Sequence, residues 1–251
     1  MTKNVWITGA SSGIGKALAI KFAGKGWQVA ASARRENLLD ELVKINPNIH
    51  SFPLDVVDLE NSKKIFEKII QKLNEVDLCV FSTGTYDPKT EREINVEQIK
   101  NVFNVNFFGT LNCIKSVESY FKNRKNGHIS IMSSLVAYRG LPNSSGYAPS
   151  KAALNNLTES LYFDFKRYDV KVSLITPGFI KTPLTDKNTF KMPFLKTPEF
   201  AADKIYDGLV KKNSFEISFP IETTIIMKFL KILPNRIYLY LIKKLTKFQK
   251  R

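Results

Sequence analysis

VWITGASSGIG, residues 5 to 15, begins as a strand and ends as a glycine-rich turn leading into a helix. Val5, Trp6 and Ile7 are apolar at successive positions, as a strand buried on both faces should be. Gly9, Gly13 and Gly15 follow at once, with Ser11, Ser12 and Ile14 among them. Glycines at such a turn let the backbone bend tightly and approach a pyrophosphate, whose charge then meets the free N–H groups of the following helix. The stretch therefore predicts a nucleotide site at the first strand–helix junction of an α/β fold, with Gly9, Ser11, Ser12, Gly13, Ile14 and Gly15 against the ligand.

The same alternation continues along the chain. Strands are expected at Asn4–Thr8, Gln28–Ala33, Ile49–Leu54, Leu78–Ser82, His128–Ser133, Val170–Ile175 and Phe215–Phe219. Helices are expected near residues 14–25, 36–45, 59–74, 96–123, 147–168 and 199–211. Strand–helix–strand units with right-handed crossovers give a doubly wound parallel sheet covered on both faces, a Rossmann-like single domain. Residues 1–222 are expected to form it, with 223–251 as a basic amphipathic C-terminal helical extension. Thr182–Pro198 has no clear period and three prolines, and is expected to be a lid or binding loop.

A chain of 251 residues with 43% hydrophobic residues is long enough for one sizeable core. Cys79 and Cys113 lie in apolar stretches without metal or disulfide spacing, and His50 and His128 have no ligand partner nearby, so neither a metal nor an oxidising compartment is expected. The start enters a strand by the third or fourth residue, leaving no room for an export signal, and no uncharged apolar run reaches bilayer length. A cytoplasmic location is the expectation. The net charge of +15 is concentrated: from Thr223 to Arg251 there are eight Lys or Arg and no acid, more than half of the excess. That distribution argues against a nucleic-acid surface and for a special role of the tail.

GYAPSK, residues 146 to 151, carries the chemistry. In a helix Tyr147 and Lys151 lie one above the other, and Pro149 is tolerated in the first turn, where its missing N–H costs nothing. An ammonium beside a phenol favours phenolate, which is how a tyrosine becomes an acid or base near neutral pH.

With the spacing G-x-x-x-G-x-G of the first turn, Tyr147 and Lys151 resemble the short-chain dehydrogenase/reductase family over roughly residues 3 to 220. SIMSSLVAYRGLPNSSGYAPSK looks like its catalytic segment and places the family serine at Ser134. NVNFFGT matches the family's helix asparagine at Asn106, and LDVVD places Asp55 and Val56 at the adenine ring. TPGFIKT supplies Pro177, Gly178, Ile180 and Thr182, which in the family lie over the nicotinamide. FSTG, Phe81 to Gly84, departs from the usual N-N-A-G: Gly84 can still pass the ribose, but two amides are gone and the central strand must find support elsewhere. The resemblance implies an NADP(H)-dependent interconversion of carbonyl and alcohol. Tyr147 is then the proton donor and acceptor, Lys151 tunes it and holds the ribose, Ser134 binds the carbonyl, and Asn106 positions a water. It also implies a homodimer or homotetramer.

The end of the second expected strand, AASARRE, offers Arg34 and Arg35 and no acid, which favours the 2′-phosphate of NADP over the bare ribose of NAD. The substrate pocket is expected beside Leu135, Val136, Leu141 and the 182–198 loop, which suits a hydrophobic carbonyl compound. A cofactor-binding sensor or scaffold without turnover is the alternative. In the tail, Ile237, Leu241, Leu245 and Phe248 fall on one helical face and Lys243, Lys247 and Lys250 on another, so residues 225–251 are expected to touch either a lipid surface or protein.

Overall fold

The computed structural model describes residues 3–88 and 93–246. Its strands are β1 (Asn4–Thr8), β2 (Gln28–Ser32), β3 (Ile49–Ser51), β4 (Leu78–Phe81), β5 (Gly127–Met132), β6 (Val170–Pro177) and β7 (Glu216–Phe219). They pair in parallel in the order β3-β2-β1-β4-β5-β6-β7. The order reverses between β1 and β4. There the crossovers leave toward opposite sides and a crevice opens at the carboxyl ends of the strands.

Side-chain alternation along the strands builds two cores. Val5 and Ile7 of β1 face α1 (Gly13–Gly24), α2 (Glu36–Val43) and α7 (Pro198–Tyr206). Trp6 faces the other way, with α3 (Leu59–Leu73), α5 (Gly109–Arg124) and α6 (Tyr147–Lys166). Residues of β1 such as Trp6 and Ile7 are fully buried, and large apolar side chains in that position each contribute about 1.5–3 kcal/mol. Phe81 shows why the departure from N-N-A-G is tolerated. Its ring is buried edge-on against Trp6 at 5.5 Å, while Ser82 Oγ donates to Thr8 O at 2.5 Å and Ser82 N donates to Thr8 Oγ1 at 3.2 Å.

Several boundaries differ from expectation for local reasons. The strand expected to reach Leu54 is regular only to Ser51; beyond it the chain still runs along β2, with Phe52 N and Leu54 N donating to Ala31 O and Ala33 O, and Pro53 between them is tolerated because β3 is an edge strand whose intervening N–H would face away from the sheet. The single helix expected over 96–123 is α4 (Val96–Phe103), a π turn (Asn104–Phe108) and α5. The wider turn carries Asn106, whose side chain is drawn to the loop after β4.

The tail is part of the domain surface rather than a free appendage. α8 (Ile221–Ile232) and α9 (Asn235–Leu245) bury Met227, Leu230, Tyr238 and Ile242 against Leu135. Tyr238 OH donates to Gly140 O at 2.5 Å, and the Arg139 guanidinium lies 4.1 Å over the Tyr238 ring and donates to Asn235 Oδ1 at 3.0 Å. The expected division after residue 222 falls inside the first turn of α8. The apolar stripe expected on α9 also differs. Tyr238 and Ile242 are the buried positions and Leu241 is partly buried, while Ile237 and Leu245 are exposed; Lys247, Phe248 and Lys250 lie outside the described residues.

Candidate active site

A cleft of about 250 Å³ opens at the β1–β4 switch point. Gly9, Ser11, Ser12, Gly13, Ile14 and Gly15 line one wall, and Arg34, Arg35, Asp55 and Val56 line its outer end. Gly84, Tyr147, Lys151, Pro177 and Thr182 close the inner end. Residues scattered over 174 positions of the chain are thus brought to one crevice. Four expected residues are not on its wall: Asn106, Ser134, Gly178 and Ile180.

The turn is shaped to admit a ligand's backbone-close groups. Gly13 has φ +54°, and a Cβ there would lie 2.9 Å from Thr182 Cγ2 at the root of the lid. At Gly15 a Cβ would lie 2.2 Å from Gly9 O, so no side chain fits while the turn keeps this shape. Arg35 Nη2 donates to Ser11 Oγ at 2.9 Å and to Ser12 Oγ at 2.8 Å, which holds one guanidinium across the glycine turn. Thr83 Oγ1, on the cleft wall, is buried with no hydrogen-bond partner. A buried hydroxyl left so is costly unless something in the cleft meets it. Glycine cradle, paired arginines and orphan hydroxyl together fit a phosphorylated, sugar-bearing cofactor.

Pro149 stands in the first turn of α6, and Tyr147 and Lys151 stack as the spacing requires, with Lys151 Nζ 5.8 Å from the Tyr147 ring centroid. Lys151 is buried and donates to Met132 O at 2.9 Å. Burial alone pushes its ammonium down to about 8. Unfolded, the same group titrates near 10.5, so between pH 8 and 10.5 the unfolded chain holds more protons and stability rises with pH; below pH 8 both states are charged and the cost of burying the charge is fully present. The expected result is a gain in unfolding free energy from pH 7.5 to 10 that is larger, by up to about 3 kcal/mol, in the wild type than in Lys151→Met. Urea unfolding of both at the two pH values measures it.

Asn106 acts behind the wall. Its Oδ1 accepts from Thr85 N at 2.7 Å, and its Nδ2 donates to Thr85 O at 3.1 Å and to Ser150 Oγ at 3.0 Å. The fully buried amide thus ties the loop after β4 to α6, the helix that bears Tyr147 and Lys151. Ser134 caps a short 3-10 turn (Leu135–Tyr138): its Oγ accepts from Val136 N at 3.3 Å and donates to Pro177 O at 3.4 Å. Its neighbour Ser133 lines the cleft and donates to Lys151 O at 2.9 Å. A Cβ at Gly178 would meet Pro220, Leu135 and Thr223, so it faces the tail, and Ile180 is buried in the core.

Tyr86 escaped the sequence reading. Its ring lies 4.9 Å from that of Tyr147, tilted by 47°, and Lys187 of the lid donates to its carbonyl at 3.1 Å. The only signal was its place two residues past Gly84, in a loop already marked as close to the ligand. Pro183 and Leu184 join Thr182 on the cleft wall, as expected of a lid. Val136 and Leu141 instead line a separate hollow of about 420 Å³ with Ala148, Pro149 and Ala152, which shares no lining residue with the cleft, and Leu135 is buried under the tail. The cleft, not this hollow, holds the titratable pair.

Comparison with known proteins identifies the family. Residues 3–192 match the short chain dehydrogenase family model, and the chain belongs to that family of oxidoreductases. An uncharacterized oxidoreductase of Myxococcus xanthus is 31% identical over 236 residues, 92% of this chain and 93% of its own. The 3-oxoacyl-(acyl-carrier-protein) reductase FabG of Thermotoga maritima is 34% identical over 185 residues, 72% of this chain and 75% of its own. Among solved structures, ElxO with NADP bound has a TM-score of 0.77 and 27% identity over 87% of this chain and 98% of its own, and a tyrosine-to-phenylalanine variant of ElxO is solved with NADPH bound.

Proposed function

We propose that this protein is an NADPH-dependent reductase, working reversibly between a hydrophobic carbonyl compound and its alcohol. The observation that carries the reading is the convergence, in one cleft, of the Gly9–Gly15 cradle with the stacked Tyr147–Lys151 pair. When bound, NADPH supplies the hydride. Gly9, Ser11, Ser12, Gly13, Ile14 and Gly15 would hold its pyrophosphate, Arg34 and Arg35 its 2′-phosphate, Asp55 and Val56 the adenine end, and Gly84, Pro177 and Thr182 the nicotinamide end, with Gly178 and Ile180 behind the wall supporting that stretch.

The chain's own work is orientation and proton transfer. Tyr147 gives its phenolic proton to the carbonyl oxygen and takes it back in the reverse direction. Lys151, held by Met132 O, keeps a positive charge beside the phenol and stabilises its phenolate. Ser134, beside the cleft, would turn its hydroxyl from Pro177 O to hydrogen-bond the carbonyl, and Asn106 fixes the loop and helix that flank Tyr147 and orders the relay that reprotonates it. Val105, Met132, Pro177 and Leu184 give the cleft apolar wall, which suits an apolar substrate. In this reading the enzyme is cytoplasmic, pairs with copies of itself, and is built as a catalytic unit over residues 1–222 with an extension over 223–251. The test is a series of ketones and aldehydes of graded chain length, with NADPH consumption and the alcohol product both measured. NADPH that binds but is consumed with none of them would favour the sensor reading.

Cofactor choice is tested separately. Because only NADPH carries the 2′-phosphate, Arg34→Ala with Arg35→Ala is expected to weaken NADPH binding by at least about tenfold and NADH binding little, the scale of losing charge-assisted hydrogen bonds. Equal losses in fluorescence titrations of the two cofactors would count against these arginines as the phosphate readers.

A further inference from the structure

We propose that α8 and α9 form a docking surface for an anionic lipid bilayer beside the lid of the cleft. α8 is turned the unusual way round. It buries Thr223 and Thr224 with Met227 and Leu230, and presents Ile221, Ile225, Phe229 and Ile232 to solvent at 64%, 61%, 55% and 77% exposure. At 3.6 residues per turn these four fall within about 80° of one another, a continuous apolar face. Patches of this kind mark interaction sites rather than ordinary surface. No helix among the described residues is long and apolar enough to cross a membrane, so contact would be along the surface.

Charge decides what covers the face. No acid stands among the eight Lys and Arg between Thr223 and Arg251, and of these Lys228 is paired with Glu216 of β7 at 2.6 Å. On α9, Arg236, Lys243 and Lys244 are exposed together with Leu239 and Tyr240. Apolar and aromatic side chains among cations are what the boundary between acyl chains and anionic headgroups accepts. The lid adds to it. Its exposed Phe194 and Leu195 precede Lys196, whose Nζ lies 3.9 Å from Glu222 Oε1 in the first turn of α8. A second copy docked face to face about a twofold axis would set this basic surface against itself. An acidic protein would match the charge, and the experiment separates it from lipid.

The inference does not rest on the reductase reading, since its readout needs no substrate. The full-length protein is sedimented with vesicles of phosphatidylcholine alone and of phosphatidylcholine mixed with phosphatidylglycerol. Binding to the mixed vesicles at low salt is expected, weaker by at least about tenfold on neutral vesicles or at high salt. Ile225→Glu with Phe229→Glu changes only exposed positions, so the melting temperature should hold while sedimentation is lost. Lys243→Glu with Lys244→Glu should cost at least about tenfold on mixed vesicles only. A Phe229→Trp variant should shift its emission to the blue on vesicle addition. Failure to sediment, equal binding to both vesicles, or binding unchanged in the Glu variants would overturn the proposal. So would Glu variants that lower the oligomeric mass, or release an acidic protein, while the wild type ignores lipid.

Discussion

Turnover by Tyr147→Phe is expected to fall by at least about a hundredfold while NADPH binding is kept. The substitution removes one oxygen and leaves the ring, and the ring is what packs on Tyr86 at 4.9 Å and under Lys151 Nζ at 5.8 Å. α6 begins at Tyr147, and its start is held by Ala148 N donating to Ser144 O and Oγ, by Ser150 N donating to Gly146 O, and by Pro149 in the first turn. The loss should appear in kcat with little change in the dissociation constant for NADPH, as expected for an interaction made only when the proton moves. Single-turnover and binding measurements on the same preparation separate the two. Wild-type rates in the variant would remove Tyr147 from the mechanism.

Gly15→Ala is expected to have the second large effect, and for a steric reason. The added methyl would stand 2.2 Å from Gly9 O and 2.7 Å from Gly9 C, both backbone atoms that no side-chain rotation can clear. The turn must open or α1 must withdraw. Forcing a methyl into such a space costs about 1–3 kcal/mol of stability, and a displaced cradle should weaken NADPH by at least about tenfold. Denaturant midpoints and cofactor titrations measure the two losses. Unaltered cofactor affinity would mean that the turn does not carry the pyrophosphate.

The fold and the cleft were legible because the signals that specify them are local. Val5–Ile7 followed by the glycine turn, the Tyr147–Lys151 spacing with Pro149, and the arginine pair after β2 each state in a few residues what the structure brings together. What escaped depends on contacts between distant segments. Tyr86 meets Tyr147 across 61 positions, and the Asn106 amide holds Thr85 only because a π turn interrupts the helix that periodicity draws as continuous. The serine count reached Ser134 by distance from Tyr147. Only the structure shows that Ser133 lines the cleft while Ser134 caps the turn beside it. The tail misled for the opposite reason. Its basic, apolar pattern was plain, but which side packs was decided by Leu135 and Gly140, more than 90 residues away.

The most direct measurement follows the hydrogen itself. Wild-type protein is incubated with NADPH carrying deuterium at the transferable C4 position and with a carbonyl compound that it consumes, and the alcohol is examined by mass spectrometry and NMR. Deuterium on the former carbonyl carbon, one per molecule, with the hydroxyl proton drawn from solvent, is the predicted result. An unlabelled product, or loss of NADPH absorbance without any alcohol, would contradict the assignment of this cleft as a site of hydride transfer.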